Sequence, residues 1–291
     1  MLSAAEVVYS IDGIRQGIRS DGRACDVIRP FSIQMGVVST ANGSCRILSS
    51  ACDIYVAIKC EIVRPRIDKP DEGIVTLAVD FSSSAVVRQQ ELSMRQASLE
   101  TESMAEVFAN QLSSLCLSSL DKQQFCIKGG DACWKLSVDV LVERLDIPLI
   151  DPSSVGIRAA FMDLQLPVVA VPAEDHQVDG DEPESAIPRV DLMGGLWRPR
   201  LSECSALCVS VGVFSDNSVM VVDLDSIEEY LARQMSNCLI VIAVDGEGKC
   251  SGLHKYGIGA IDPCILRDVV SAGMKVGRQI SSTLQKHSLV I

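Results

Sequence analysis

The sequence is short of several things that active sites are made from. Aromatic residues make up 4% of its 291 positions, and it has three histidines, His176, His254 and His287. So few imidazoles leave little material for a Ser-His-Asp triad, and no Gly-x-Ser-x-Gly elbow is present to carry the nucleophile. No two cysteines have the Cys-x-x-Cys spacing, and no histidine lies beside a cysteine cluster, so no structural zinc site is expected. Long apolar runs are missing too. The longest, 206–214 and 238–244, fall far short of the roughly 20 residues that a membrane span needs, and they read as buried strands. No membrane partner is expected. The opening Met1-Leu2-Ser3-Ala4-Ala5-Glu6 has no cationic stretch leading into an apolar one, so no secretory leader is expected.

What is present suits a globular chain with a large core. Hydrophobic residues account for 47% and charged residues for 22%, and a chain of this length buries roughly three quarters of its unfolded surface. Twelve cysteines without an oxidising context read as reduced, buried thiols. The net charge of -12 argues against a protein that holds nucleic acid alone, because cations supply most non-specific affinity for phosphates. The charge is uneven, however: residues 1–70 carry nine basic and seven acidic side chains, whereas 174–184 holds six acids and no Lys or Arg. Any contact with RNA or DNA is therefore expected within a larger assembly.

The pattern of elements is α+β. Phe31–Val38, Ile54–Ile62, Ile74–Asp80 and Trp134–Val142 read as strands, the last alternating cleanly with Trp134, Leu136, Val138, Val140 and Val142 on one face. Met104, Val107, Phe108, Leu112 and Leu115 recur at helical spacing within 96–120. Asp151-Pro152 reads as a cap and first residue of a helix running to about Leu164. The segment 173–201, Pro-, Gly- and acid-rich at its start, reads as a loop dividing an N-terminal domain, 1–172, from a C-terminal domain, 202–291. In the second domain, strands near 206–213, 219–224 and 238–244 precede a helix opened by Asp262-Pro263, and Ser226 with Glu229 has the spacing of a capping box. Helices packed on mixed sheets follow from this order. Gly246-Glu247-Gly248-Lys249 fails as a phosphate loop, because Ala243 stands where its first glycine belongs and Cys250 follows the lysine.

A collinear series of short motifs adds a resemblance. Ile18-Arg19-Ser20-Asp21-Gly22-Arg23 with Arg29-Pro30, then Ala41-Asn42-Gly43-Ser44, Val75-Thr76-Leu77-Ala78-Val79-Asp80, Cys133-Trp134 with Val138-Asp139-Val140, Ile150-Asp151-Pro152-Ser153-Ser154 and Asp223-Leu224-Asp225 run in order along nearly the whole chain. Together they resemble the RNase PH family, and most closely its ring subunits of the eukaryotic RNA exosome core, of the type called ribosomal RNA-processing protein 42. The resemblance implies an RNase PH-like fold of mixed sheets and helices (ribosomal protein S5 domain 2-like). It also implies a place in a six-member ring of RNase PH-like subunits, with RNA-binding cap subunits, a separate catalytic nuclease and single-stranded RNA as the substrate of the whole. Nucleus, nucleolus and cytoplasm are the implied locations.

Active members of the family attack RNA from its 3' end with inorganic phosphate. They hold the phosphate with a Gly-Gly-Thr-Arg segment, which by alignment on Asp146 falls on Ile147, Pro148, Leu149 and Ile150. Two arginines of the family's helix fall near Glu106 and Asn110, and its two aspartates fall on Glu229 and Met235. A cation holding phosphate is worth about 1.5–3 kcal/mol per charged hydrogen bond, and aliphatic side chains supply none of it. The expectation is a non-catalytic scaffold subunit with a degenerate site at Leu149, Ile150, Glu229 and Met235, no cofactor and no metal. Glu229 is assigned to the capping box. The competing expectation is an active phosphate-dependent 3'-5' exoribonuclease at a ring interface, with Glu229 as its acid. Arg64, Arg66 and Lys69, clustered after the Glu61 strand, are the candidates for RNA contact, with Arg15, Arg19 and Arg23 upstream. Asp21-Gly22 reads as a turn that Arg23 braces.

Overall fold

A computed structural model of the chain describes residues 4–82, 99–145, 148–170, 191–200, 205–214, 219–233 and 237–288. After helix α1 (Ala4–Arg15) come strands β1 (Ser32–Met35), β2 (Gly43–Leu48), β3 (Cys52–Val63) and β4 (Ile74–Phe81), helix α2 (Leu99–Cys116), the short β5 (Cys126–Lys128) and the long β6 (Ala132–Leu145). They form one sheet in the order β1-β2-β3-β6-β4, with β5 on β6. Its pairs are antiparallel except β4 with β6. Parallel strands cannot be joined by a tight hairpin, and α2 lies in the crossover between them.

The alternation read in the sequence puts Trp134, Leu136, Val138, Val140 and Val142 in the core, with Lys135, Ser137 and Asp139 on the open face. On α2 the expected stripe is only half right. Leu112 and Leu115 are buried and Phe108 packs at the core edge, but Met104 and Val107 are exposed.

Helix α3 (Ile150–Asp163) lies directly on β2 and β3. Two glycines permit this approach: a methyl group on Gly43 would come within 2.6 Å of the Ala160 carbonyl oxygen, and one on Gly156 within 2.8 Å of Val56 Cγ2. Strand β7 (Leu166–Ala170) pairs antiparallel with β8 (Asp191–Trp197). Part of the expected 173–201 loop is therefore a strand, anchored where Trp197 meets Phe125 edge-on with ring centres 6.0 Å apart. The acidic run 174–184 lies outside the described residues.

The second sheet is antiparallel, in the order β10-β9-β11-β12, from β9 (Leu207–Phe214), β10 (Val219–Val222), β11 (Cys238–Val244) and β12 (Cys250–Tyr256). Every residue of β9 and β11 is buried, because both faces are covered. Val209, Val211 and Val213 share one core cluster with α3 and helix α5 (Pro263–Ser288), while Phe214 and Leu239 join a second beneath α1 and helix α4 (Ser226–Arg233). The larger cluster contains residues of both sheets.

The segment between α1 and β1 is held down by arginines. Arg19, 3% exposed, forms a two-pronged pair with Glu228 at 2.8 and 2.6 Å and donates to the carbonyls of Val222 and Asp223 at 3.1 and 2.8 Å. Arg23 bridges the carboxylates of Asp21 at 2.6 Å and Asp223 at 2.7 Å, which is the brace read from the sequence. Arg29 reaches Asp223 through its main-chain N–H at 2.6 Å and its Nε at 3.0 Å. Asp223 itself sits at φ +50°, a left-handed conformation that Asp tolerates better than most side chains.

Removing Arg19 strands Glu228 as a buried, unpaired carboxylate. Arg19→Ala is expected to cost about 3–5 kcal/mol in urea unfolding, and Arg19→Met with Glu228→Met to cost less than the single change. A double variant at least as destabilised as the single would show that the two charges do not depend on each other.

Candidate functional site

The resemblance places the family's phosphate-holding segment at the start of α3, so the local structure there bears on what the site can do. Asp151 is not the cap. The helix starts two residues before Pro152, at Ile150, with Leu149 in the cap position and no side-chain bond to the first turn. Freed from capping, Asp151 turns its carboxylate toward β9, accepting from the Ser210 N–H at 2.8 Å and from Ser210 Oγ at 2.6 Å. Ser154 follows one turn later, accepting from the Cys208 N–H at 2.9 Å, and Arg158 donates through Nε to the Ser205 carbonyl at 2.7 Å. These positions lie on one helix face. They hydrogen-bond the start of β9 and the segment leading into it, which β10, paired only with 211–214, does not reach.

Leu149 and Ile150 are 2% and 3% exposed and offer no polar side-chain atom. Behind them, burial pushes the Asp151 carboxyl up to about 7, helped by the charges of Asp223 and Glu229 and opposed by its bonds from Ser210. A phosphate dianion would here meet aliphatic groups and carboxyls. Ile147 and Met235 lie outside the described residues. Glu106 and Asn110 are both exposed on α2.

Glu229 corrects the second expectation. The capping box is Asp225 with Glu228, one residue earlier than read: the Glu228 N–H reaches Asp225 Oδ1 at 2.7 Å, and the Asp225 N–H reaches Glu228 Oε2 at 2.9 Å. Asp caps as well as Ser, and two consecutive glutamates left the register open. Arg19 settles it by taking Glu228. Glu229 is left to pair with Arg233, whose guanidinium lies 4.9 Å over the Tyr256 ring. Burial raises the Glu229 carboxyl above its usual range, against the pull of Arg233.

A cavity of about 40 Å³ opens beside Asp151 between the two sheets, lined mainly by apolar groups with Arg29 and Asp223 at its polar side. Arg29 is already committed to Asp223. Among the described residues, no group of three or more His, Cys, Asp or Glu is placed to hold a metal ion, and no helix is long and apolar enough to cross a membrane.

Arg64, Arg66 and Lys69 lie where the sequence put them, exposed in the loop after β3. Arg66 and Lys69 line a cleft of about 110 Å³, and Lys69 pairs with Glu72 at 3.0 Å. The structure adds Lys122, from the turn before β5, to the same cleft. Nothing in the spacing of the sequence links Lys122 to that loop. Of the upstream arginines, Arg15 pairs with Asp12 on α1 at 3.1 Å, and Arg19 and Arg23 are structural.

Because the folded Asp151 carboxyl titrates near 7 and an unfolded one near 4, the folded chain holds a proton between those values that the unfolded chain releases. Stability contributed by this group therefore falls as pH rises from 4 to 7. Asp151→Asn is expected to flatten the fall of the urea midpoint between pH 5 and 8. Parallel slopes for the two proteins would show that Asp151 ionises normally.

Comparison with known proteins agrees with this architecture. Residues 27–167 match the 3' exoribonuclease family, domain 1, of RNase PH type. The chain is 24% identical to the exosome complex component Rrp42 of Methanocella arvoryzae, over 91% of the chain and 89% of that protein. It is 26% identical to the exosome complex component RRP45 of Danio rerio, over 98% of the chain and 67% of that longer protein. Among solved structures, an Archaeoglobus fulgidus exosome with RNA bound to the active site superposes with a TM-score of 0.69 at 19% identity, covering 96% of this chain and 97% of that one. An archaeal exosome core gives 0.66 at 18% identity, covering 97% and 96%. Residues 27–167, spanning β1 to α3, thus match the first domain of the RNase PH-type 3' exoribonuclease family, and the whole chain shares the fold of the exosome-core subunits with which it superposes.

Proposed function

We propose that the chain is a non-catalytic scaffold subunit of an exosome core ring. On this reading its neighbours are other RNase PH-like subunits in a six-member ring, RNA-binding subunits cap the ring, and a separate nuclease degrades or trims the single-stranded RNA, including ribosomal RNA precursors. Nucleus, nucleolus and cytoplasm are its proposed locations. The names of the relatives support the ring. The observation that carries the absence of catalysis is the start of α3, where buried Leu149 and Ile150 and the Asp151 carboxyl take the place of hydroxyl and guanidinium. Phosphorolysis needs an anion held there against a polyanion, and an apolar wall with a carboxyl behind it opposes both.

One observation favours the enzymatic reading. Glu229 is free of the capping box, and burial raises its carboxyl as a general acid's would be. Its partner is Arg233 within the same helix, one turn on, which gives the residue a structural occupation. An acid also has no work to do without an attacking phosphate.

The two readings separate in the assembled ring. Release of nucleoside diphosphates from a single-stranded RNA, with and without phosphate, is expected to be the same within about twofold for the parent ring and for one carrying Glu229→Ala. A phosphate-dependent rate that falls in the variant by the 10²- to 10⁴-fold usual for a lost general acid would establish the enzyme instead.

A further inference from the structure

The cleft between the loop 64–73 and the turn at Lys122 is remote in sequence from the degenerate site and has the opposite chemistry. We infer that it is a binding site for one phosphate group, taken from the backbone of a single-stranded RNA or as free phosphate. Three cations line it, Arg66, Lys69 and Lys122, against one carboxylate, Glu72. Lys69 and Glu72 neutralise each other at 3.0 Å, which leaves two positive charges facing about 110 Å³ of space. That balance suits a singly or doubly charged anion.

The cations come from two separate segments, and the structure locks those segments together. The Gly73 N–H donates to the Lys122 carbonyl at 2.9 Å. A methyl group on Gly73 would stand 2.4 Å from Phe125 Cβ and 2.9 Å from the Trp134 carbonyl oxygen, so the loop reaches Lys122 only because residue 73 has no side chain. Arg66 and Lys69 face each other across a β-bridge, with the Lys69 N–H on the Arg66 carbonyl at 3.1 Å. The backbone is thus arranged before any anion arrives, and preorganised donors hold a ligand at lower entropic cost.

The lining also says what is recognised. The Arg66 guanidinium and the Lys122 ammonium match a phosphate's oxygens. No aromatic side chain lines the cleft, so there is no platform on which a base would stack. Contact with RNA here is to the backbone and indifferent to sequence. This inference supplies an RNA contact for the ring subunit proposed above, but it concerns phosphate binding and is judged separately.

The full chain is titrated into a fluorescently labelled oligouridylate across a series of salt concentrations, with folding checked by circular dichroism. Lys122→Gln and the pair Arg66→Gln with Lys122→Gln are compared with Lys275→Gln, an exposed lysine on α5. The expected result is at least fivefold weaker binding for the pair, and a salt slope smaller by about 0.7 for each phosphate that is no longer neutralised, with Lys275→Gln unchanged. Displacement of the oligonucleotide by millimolar inorganic phosphate assigns the site to free phosphate, and its failure to displace assigns the site to the RNA backbone. Parental affinity and slope in the folded double variant would overturn the inference, as would a parent that binds neither ligand. Neither result bears on whether Glu229→Ala alters phosphorolysis.

Discussion

The fold depends on a single convergence of charge. Asp223 receives Arg23 and Arg29 on its carboxylate and Arg19 and Arg23 on its carbonyl, and Arg19 goes on to Glu228. A buried guanidinium is tolerable only when its donors are met, and five fixed donors per arginine demand many acceptors in one place. The turn between β10 and α4 provides them by bending through a left-handed residue, which turns the Val222, Asp223 and Leu224 carbonyls outward. In exchange, the segment 19–29, which has no regular hydrogen bonding of its own over most of its length, acquires a defined path to β1. The first sheet is thereby tied to the second at the point where the cap of α4 is also set.

The second tie is α3. A helix packed on the first sheet uses Asp151, Ser154 and Arg158 to complete the hydrogen bonding of a strand in the second. This arrangement bears on the proposed loss of a phosphate site. A carboxylate in the first turn of a helix is favoured by the helix dipole, and two donors from Ser210 favour it further, although burial outweighs them and raises the Asp151 carboxyl to about 7. An incoming phosphate would compete for that same electrostatic position. Interlocking the two halves and holding a phosphate are therefore alternative uses of one helix start, and these residues commit it to the first. The cavity beside Asp151 is correspondingly apolar.

Much of this is legible in the sequence, and the exceptions share a cause. The strands β9 and β11 are plain because apolar-rich runs of seven to nine residues admit little else, and Trp134 to Val142 is plain because period-two alternation persists over a long stretch. Two helix starts lie one or two residues before the position that local spacing indicates. At Asp225-Ser226 two good caps stand side by side before two glutamates, and only Arg19, distant in the chain, distinguishes them. At Asp151 the local preference for capping yields to Ser210 across the interface. The strand β8 is hidden because its partner and its aromatic anchor, Phe125, are remote in sequence. Local chemistry proposes the elements, and the long-range polar contacts choose between adjacent registers.

A chain of net charge -12 is a poor candidate for gathering RNA from solution, and the distribution of its cations shows how that charge coexists with a basic cleft. Arg19, Arg23, Arg29, Arg46 and Arg233 are all bound to carboxylates of the chain itself, so they hold the protein together and present little field to a ligand. Arg66, Lys69 and Lys122 lie at the surface, where with Glu72 they line the cleft. Screening at physiological salt limits the reach of any charge to about 8 Å, so on the proposed reading the cations of the cleft act on a phosphate at contact and the overall negative charge repels RNA weakly at a distance. On the proposed reading such a surface does not capture a strand from afar and guides one already delivered by neighbours. That division fits a subunit whose contribution is to shape the path of the RNA, with the chemistry done elsewhere.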